Sequence, residues 1–478
     1  MYVTILNMLN SINSVINSIS GVLYEPWCVP LILILGGIYC SIRTKFVQFR
    51  LLGESCKVIL EKPHEDNAVS SFGALMVSTA SRVGTGNIIG VSTAICLGGP
   101  GAVFWMWVIA LIGGASAFIE STLAQIYKKR DDDGSSYGGP SYYIEKVLKQ
   151  RWLGIIFAVI VILTYAVGYN ALASYNLQST FSGFSFYDAT KTPRVIGYIL
   201  AVLFAICVLG GFKRLTKVTG VLVPIMGIIY ILVAILVIIL NVNTIGIMFS
   251  NIFASAFDFK AIFSGFTGSC LMLGIKRGLY SNEAGMGSAP NAAATADVSH
   301  PVKQGLVQML SVFIDTILIC TATAFMCLSS GVVPSADIAG AAYVQASLQA
   351  SLGNFGPIFI AASMSLFAFT TLIGNYSYCE GCLRYILKKK PSKVTCIVMR
   401  LAASVIVFFG AIVSMGLVWD TADLLQALMV IINVPVIIII AGPAIAALKD
   451  YCRQRKENKN PQFVAKDCGI KEETDFWK

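Results

Sequence analysis

Two short runs place glycine and hydroxyl residues in the middle of otherwise apolar stretches: Gly84-Thr85-Gly86-Asn87 and Gly265-Phe266-Thr267-Gly268-Ser269. Runs of this kind break a helix, and a helix broken in hydrocarbon leaves N–H and C=O groups unpaired, at a cost of several kcal/mol each. A ligand or a water-filled cavity has to satisfy them. Free N–H groups at the start of a half-helix suit a carboxylate, and free carbonyls at the end of one suit a cation. One break can therefore hold both charged ends of a zwitterion with an inorganic ion beside it. For a lone Gly-rich run the alternative is close packing of neighbouring helices.

The charged residues near these runs need partners. Arg82 precedes the first run, and a full charge at mid-membrane costs roughly 2.5–3.5 kcal/mol on insertion scales. Asp315, inside another apolar segment, is the candidate partner, either as a structural ion pair or as a counter-ion linked to substrate. Ser281-Asn282-Glu283, following Lys276 and Arg277, read as an inner gate network or as a helix cap with its carboxylate. Glu120 and Glu380 are expected near helix ends in structural roles. A membrane-embedded enzyme is the alternative class, and the lack of an H-E-x-x-H or G-x-S-x-G run and the placement of both histidines, His64 and His300, in loops argue against it. Most of the 13 cysteines sit singly in apolar segments and read as small packing residues. Cys379 and Cys382 have no second pair to complete a tetrahedral site, so neither metal nor cofactor is expected beyond a coupling ion.

The elements that position these residues follow from composition. Of 478 residues 56% are hydrophobic and 13% charged, with a mean hydropathy of +0.75, more apolar surface than a water-soluble domain can bury. A spanning helix needs about 20 apolar residues. Eleven apolar segments recur, near 27–42, 69–97, 101–127, 152–180, 194–210, 218–240, 262–286, 303–330, 355–386, 394–418 and 424–448. The connections after the odd segments from one to nine, and the C-terminal tail, hold 5, 6, 3, 3, 5 and 8 of the 35 basic residues. That alternation predicts an N-terminus outside and a cytoplasmic C-terminus in the inner membrane. It also explains the formal charge of +10 without a nucleic-acid partner. The first 20 residues contain no Lys or Arg, which argues against a cleaved leader.

Segments two and seven, each interrupted and five apart, point to an inverted repeat. The expected organisation is an all-α polytopic protein of about 11 transmembrane helices. It comprises an extracellular segment 1–26, an extra helix 27–44, repeats 69–240 and 262–448, and a cytoplasmic tail 449–478. Residues 334–352 lack Lys and Arg and read either as an amphipathic surface helix or as a packed loop. Two lone broken helices fit alternating access better than a continuous pore.

The run Arg82-Val83-Gly84-Thr85-Gly86-Asn87, followed by Gly98-Gly99-Pro100-Gly101-Ala102 and Phe104-Trp105-Met106-Trp107, resembles signatures of the alanine or glycine:cation symporter family. So does the longer run from Arg277 to Pro290, RGLYSNEAGMGSAP. The resemblance extends over residues 30–448. It implies a LeuT-like fold of two inverted five-helix repeats, and uptake of alanine, glycine or a related neutral amino acid driven by sodium or sometimes protons. It also implies a monomeric transport unit surrounded by lipid.

Carried over by position, Gly84, Thr85, Gly86 and Asn87 would receive the substrate carboxylate. Phe266, Thr267, Gly268, Ser269 and Met272 would receive the ammonium and wall the side chain. The carbonyls of Ala80 and Val83, with the hydroxyls of Thr370 and Thr371, would bind sodium. Asn375, one turn past Thr371, would face the same cavity. Some members carry Trp there, so Asn375 leaves room for a larger or more polar side chain and makes glutamine the alternative substrate.

Overall fold

The computed structural model describes residues 2–63, 68–131, 134–265 and 268–477, with the side chains of 2–9, 212, 213 and 264 outside that description. It is a helical bundle. The helices are α1 (Tyr2–Leu23), α2 (Val29–Arg43), α3 (Ser71–Arg82), α4 (Gly86–Gly98), α5 (Gly101–Ile126), α6 (Pro140–Leu148), α7 (Arg151–Ser179), α8 (Thr192–Leu209) and α9 (Phe212–Leu240). There follow α10 (Ile245–Ala256), α11 (Cys270–Asn282), α12 (Pro290–Ala293), α13 (Pro301–Ser329), α14 (Ala341–Leu352), α15 (Phe355–Leu387), α16 (Lys393–Gly410), α17 (Met415–Ile439) and α18 (Gly442–Lys456). Eight of these are long and apolar enough to cross a membrane, and α2, α4 and α10 are shorter apolar helices.

Burial sorts the helices into layers. On α9, Ile225, Ile228, Leu232, Ile235 and Ile239 are exposed, and α16 similarly exposes Val398, Leu401, Val405 and Phe409. The central helices α5, α13 and α15 are largely covered and carry buried polar residues such as Gln125, Gln308, Asp315, Thr371 and Asn375. This inside-out distribution suits a protein surrounded by hydrocarbon, where lipid takes the apolar surface and the interior keeps the polar groups.

The helix ends follow local chemistry. Ser70 caps α3 by accepting from the Gly73 N–H at 3.0 Å, and Ser392 caps α16 through Thr395 N–H at 3.1 Å. His300 caps α13: burial pushes its imidazole down to about 4, so the neutral ring can accept from Val302 N–H at Nδ1. Ser269 caps α11 by accepting from Met272 N–H at 3.2 Å. A short helix, Phe259–Ser264, ends at Gly265 just before this cap, so the helical path is interrupted at the expected glycine-rich run, with Ser269 at the entrance of the helix that follows. The chain is interrupted again after Asn282, where Glu283, Gly285 and Gly287 take positive φ values of 55°, 84° and 79°. No right-handed helix accommodates that backbone.

Other boundaries also differ from expectation. The N-terminal segment is a helix, α1, packed along α17. The turn between the last two long helices falls at 411–414, where the hydropathy pattern had run on to 418. Of the two readings of 334–352, the helix α14 is the one formed. The C-terminal tail is folded: Phe463 N–H donates to Ser299 O at 3.1 Å, Trp477 Nε1 donates to Gln125 O at 2.7 Å, and Lys129 pairs with Asp475 at 2.9 Å.

Glycine sets the closest helix contact near the centre. A Cβ on Gly374 would lie 2.4 Å from Ser81 N and 2.8 Å from the Ala80 carbonyl carbon, so α15 presses directly on the backbone of α3. Gly374→Ala should therefore cost about 1–3 kcal/mol through overpacking and lower the thermal unfolding midpoint in detergent. Gly220→Ala, where a Cβ meets nothing within 4 Å, should leave it unchanged or slightly higher. Equal midpoints for the two variants would show that the helices slide apart to admit a methyl group.

Candidate functional site

The first break lies between α3 and α4. At Val83 ψ turns to 89°, carrying the chain out of the helix. Asn87 then ties the break together: its Oδ1 accepts from Gly84 N–H at 2.7 Å while its own N–H donates to Gly84 O at 3.2 Å. Thr85 and Gly86 head the next helical stretch, whose first N–H groups lack partners of their own. Residues 86–90 form a wide i→i+5 turn, and the same turn recurs at 163–169 in α7 and 313–320 in α13. Such turns cluster at functional sites because they free backbone groups and re-aim side chains. All three contribute residues to this region.

Facing the break from α15, Thr371 Oγ1 would lie 1.9 Å from a Cβ on Gly84, so only glycine fits there. The Thr371 hydroxyl is buried and makes no hydrogen bond among the described residues. A buried hydroxyl left unpaired costs about 1–3 kcal/mol. A hydroxyl oxygen is the kind of hard donor that a small cation prefers. Thr370 is different: its hydroxyl donates to Leu366 O at 2.9 Å and lies 3.6 Å from Met226 Sδ of α9. Its hydrogen is spent on its own helix, the usual fate of a threonine in a membrane span.

The further interruption, residues 283–289, reaches the first through α11. Tyr280 packs on Gly86, and its hydroxyl lies 3.3 Å from Thr85 Oγ1, which also accepts from Asn176 Nδ2 at 3.0 Å. Ser81 joins Glu283 Oε1 at 2.8 Å to Asn375 Oδ1 at 2.7 Å, and Asn375 Nδ2 donates to Asn170 Oδ1 at 3.1 Å. Glu283 Oε2 accepts from Ser288 at 2.7 Å. Glu283 therefore lies at the centre, linking the two breaks to α15. Tyr280, Asn170 and Asn176 were not singled out in the sequence reading, and Ser281 was read there as part of a gate or cap. Their signal was polar residues inside apolar segments, together with Gly285 and Gly287 in the long motif.

Two expected partnerships do not form. Asp315 is held by Asn87 Nδ2 at 2.7 Å and by the hydroxyls of Ser281 and Thr316 at 2.8 Å each. Arg82 donates to Gln308 O at 3.1 Å, and its charge is shared among Glu120, Glu283 and Asp315 without a contact pair to Asp315. Gly268, Ser269 and Met272 are not brought to the first break. Cys270 and Leu273 abut Gly98, at the far end of α4, and Met272 is eight residues from Tyr280, about 12 Å along the axis. Phe266 and Thr267 lie outside the described residues.

The two sides of this centre differ. Toward the Gly98 end, Arg277 grips Asp423 of α17 with paired bonds of 3.2 and 3.1 Å, and Trp419 stacks 4.0 Å over the guanidinium. Lys276 adds a contact of 3.6 Å to the same carboxylate. This corrects the grouping of Lys276 and Arg277 with the basic loops, since both lie on the opposite side of Tyr280. Toward the basic loops, a cavity of about 1420 Å³ opens, lined among others by Asn291, Ser377, Glu380, Arg384, Lys393 and Arg400. Glu380 pairs there with Arg400 at 2.6 Å. The ion pair and the cavity lie on opposite sides of the polar centre.

Interrupted helices around a buried polar centre, with an ion pair on one side and a polar cavity on the other, are features of a membrane-embedded secondary transporter. A solved structure of MhsT in complex with L-phenylalanine shares the fold, with a TM-score of 0.51 at 15% identity, covering 80% of this chain and all of that one. The family model described as the sodium:alanine symporter family matches residues 9–465, and the chain belongs to that family. Among its relatives in Bacillus subtilis, the amino-acid carrier protein AlsT is 44% identical, covering 92% of this chain and 93% of AlsT. The probable sodium/glutamine symporter GlnT is 45% identical, covering 89% and 88%. The protein is a sodium-coupled amino-acid symporter with a LeuT-like fold.

Thr371→Val keeps the shape and removes the unpaired oxygen. Losing one ligand to a cation is worth about 1.5–3 kcal/mol, so half-saturation by sodium should rise roughly 10- to 100-fold with little change in folded yield. Unchanged sodium dependence of uptake would remove Thr371 from the ion site.

Proposed function

We propose that the protein imports alanine or glycine together with sodium by alternating access, with ion and substrate sharing the broken backbone between α3 and α4. The observation that carries this reading is the unpaired Thr371 hydroxyl pressed against Gly84. Sodium sits among the Ala80 and Val83 carbonyls and Thr371, and the substrate carboxylate meets the amides at Thr85 and Gly86. The ammonium meets carbonyl and hydroxyl groups near Tyr280, Ser281 and Glu283. Because one stretch of backbone serves both ligands, each raises the affinity for the other.

The topology that supports import has eleven crossings, with the N-terminus outside, the tail cytoplasmic and inverted repeats over 69–240 and 262–448. In that orientation the Arg277–Asp423 side is extracellular and the basic cavity cytoplasmic. The second reading is glutamine. It is favoured by the carboxamides of Asn375, Asn170 and Asn176 near the first break, of which Asn170 Nδ2 and Asn176 Oδ1 have no partner among the described residues. One donor and one acceptor complement a substrate carboxamide. GlnT, by its name, carries glutamine.

Uptake of labelled alanine and glutamine into proteoliposomes under an inward sodium gradient, with potassium and proton gradients as controls, tests both readings. Sodium-dependent alanine accumulation supports the first, and a preference for glutamine the second. Movement of neither under any gradient would overturn both. Asn375→Trp should reduce glutamine uptake by at least about tenfold while alanine uptake persists. Equal losses for both substrates would remove Asn375 from the specificity pocket.

A further inference from the structure

The Arg277–Asp423 pair has a third attachment, outside both repeats. Tyr24, in the elbow between α1 and α2, is 1% exposed. Its hydroxyl donates to Asp423 O at 3.3 Å and accepts from Gln426 Nε2 at 2.6 Å. Gln426 Nε2 also donates to Asp423 Oδ1 at 3.3 Å, and its Oε1 accepts from Tyr169 at 2.9 Å. The Lys276 ammonium lies 4.3 Å from the Tyr24 ring, in reach of the ring's negative face. Two turns nearer the start of α17, Gly416 faces Asn13 of α1, whose Nδ2 would lie 3.3 Å from a Cβ at that position. The arm thus touches α17 at both ends of the stretch that carries Trp419 and Asp423.

A buried ion pair is stable only with excellent geometry and further hydrogen bonds to its remaining atoms. Tyr24 contributes at two points: it positions Gln426, which serves the Asp423 carboxylate, and it binds the Asp423 backbone carbonyl and so holds the helix itself. We propose that the N-terminal arm, α1 with the Tyr24 elbow, is a clamp on the extracellular gate. It holds the outer half of α17 so that Asp423 meets Arg277, and the path to the outside opens when the Tyr24 hydroxyl lets go. The assignment of this side as extracellular rests on the proposed import topology. The clamp itself does not depend on which amino acid is carried.

The experiment reads accessibility from each side in proteoliposomes of known orientation. In a background without other cysteines, Gly90→Cys reports the outer path, since its Cβ would lie 3.8–3.9 Å from Tyr280, Arg277 and Trp419, directly beneath the pair. Native Cys396, kept alone, reports the cavity on the other side. With an impermeant maleimide, Tyr24→Phe should speed labelling of residue 90 from outside by about fivefold, the value of one buried hydrogen bond, and slow labelling of Cys396 from inside. Asn13→Ala, which loosens the arm without touching Tyr24, should move both reporters the same way, and Arg277→Gln should move them further. A general loosening would raise both signals together. If Arg277→Gln opens the outer path while Tyr24→Phe and Asn13→Ala do not, the clamp is overturned and the gate stands. If no variant changes either reporter, both fall. Reporters that shift as expected in a protein lacking sodium-driven uptake would sink the proposed function and leave the clamp intact.

Discussion

Unpaired backbone inside a membrane-embedded bundle is the constraint on which the rest of this structure depends. Ending α3 at Arg82 and restarting at Gly86 frees amides and carbonyls that lipid cannot satisfy, so everything around them must be polar, close and complete. Asn87 closes one loose end, Thr371 faces another, and Gly374 lets α15 approach near enough to do so. The further interruption at 283–289 obeys the same rule, with Glu283 bonded to Ser81 and Ser288. Glycines at these contacts are consequences of distance, because any side chain would push apart the helices that neutralise the breaks.

The polar centre is in turn why the surrounding helices are arranged as they are. Three wide turns, in α4, α7 and α13, converge where ordinary helical spacing would point side chains elsewhere. Each loosens the regular hydrogen-bond ladder, and each is repaid by a polar residue delivered to the centre: Asn87, Tyr169 with the following Asn170, and Asp315. Arg82 supplies one positive charge amid three carboxylates, and hydroxyls and carboxamides bond the carboxylates of Asp315, Glu283 and Glu120.

Much of this was legible in the sequence. Hydropathy and the spacing of basic residues mark the long helices, and Gly84 to Asn87 mark the first break because glycine and asparagine have no reason to interrupt an apolar helix otherwise. The expected second break stands at 265–269, but the further interruption at 283–289 was missed for a physical reason. Gly265 to Ser269 and Glu283 to Gly287 are equally rich in glycine, but Ser269 is a cap and opens a helix, whereas three residues of positive φ close one. Hydropathy does not distinguish a start from a stop. Nor does it reveal which way an internal charge faces, so Lys276 and Arg277 were assigned to the wrong side, and Asp315 was paired with Arg82 when nearer hydroxyls held it. Helix α1, amphipathic and free of charged residues, offers too little hydrophobicity to be recognised by the same measure.

The folded tail has a consequence for how the molecule is made. Trp477 docks on Gln125 across 352 residues, and Lys128 lies buried beneath the Phe476 and Trp477 rings at 4.5 and 5.3 Å. At about 5–20 residues per second of synthesis, the C-terminal end of α5 waits roughly 20–70 s for its cover. During that interval every later helix has to insert with Lys128 and its surroundings bare. A chain that stalls before residue 477 leaves that patch uncovered, a surface by which unfinished copies differ from finished ones.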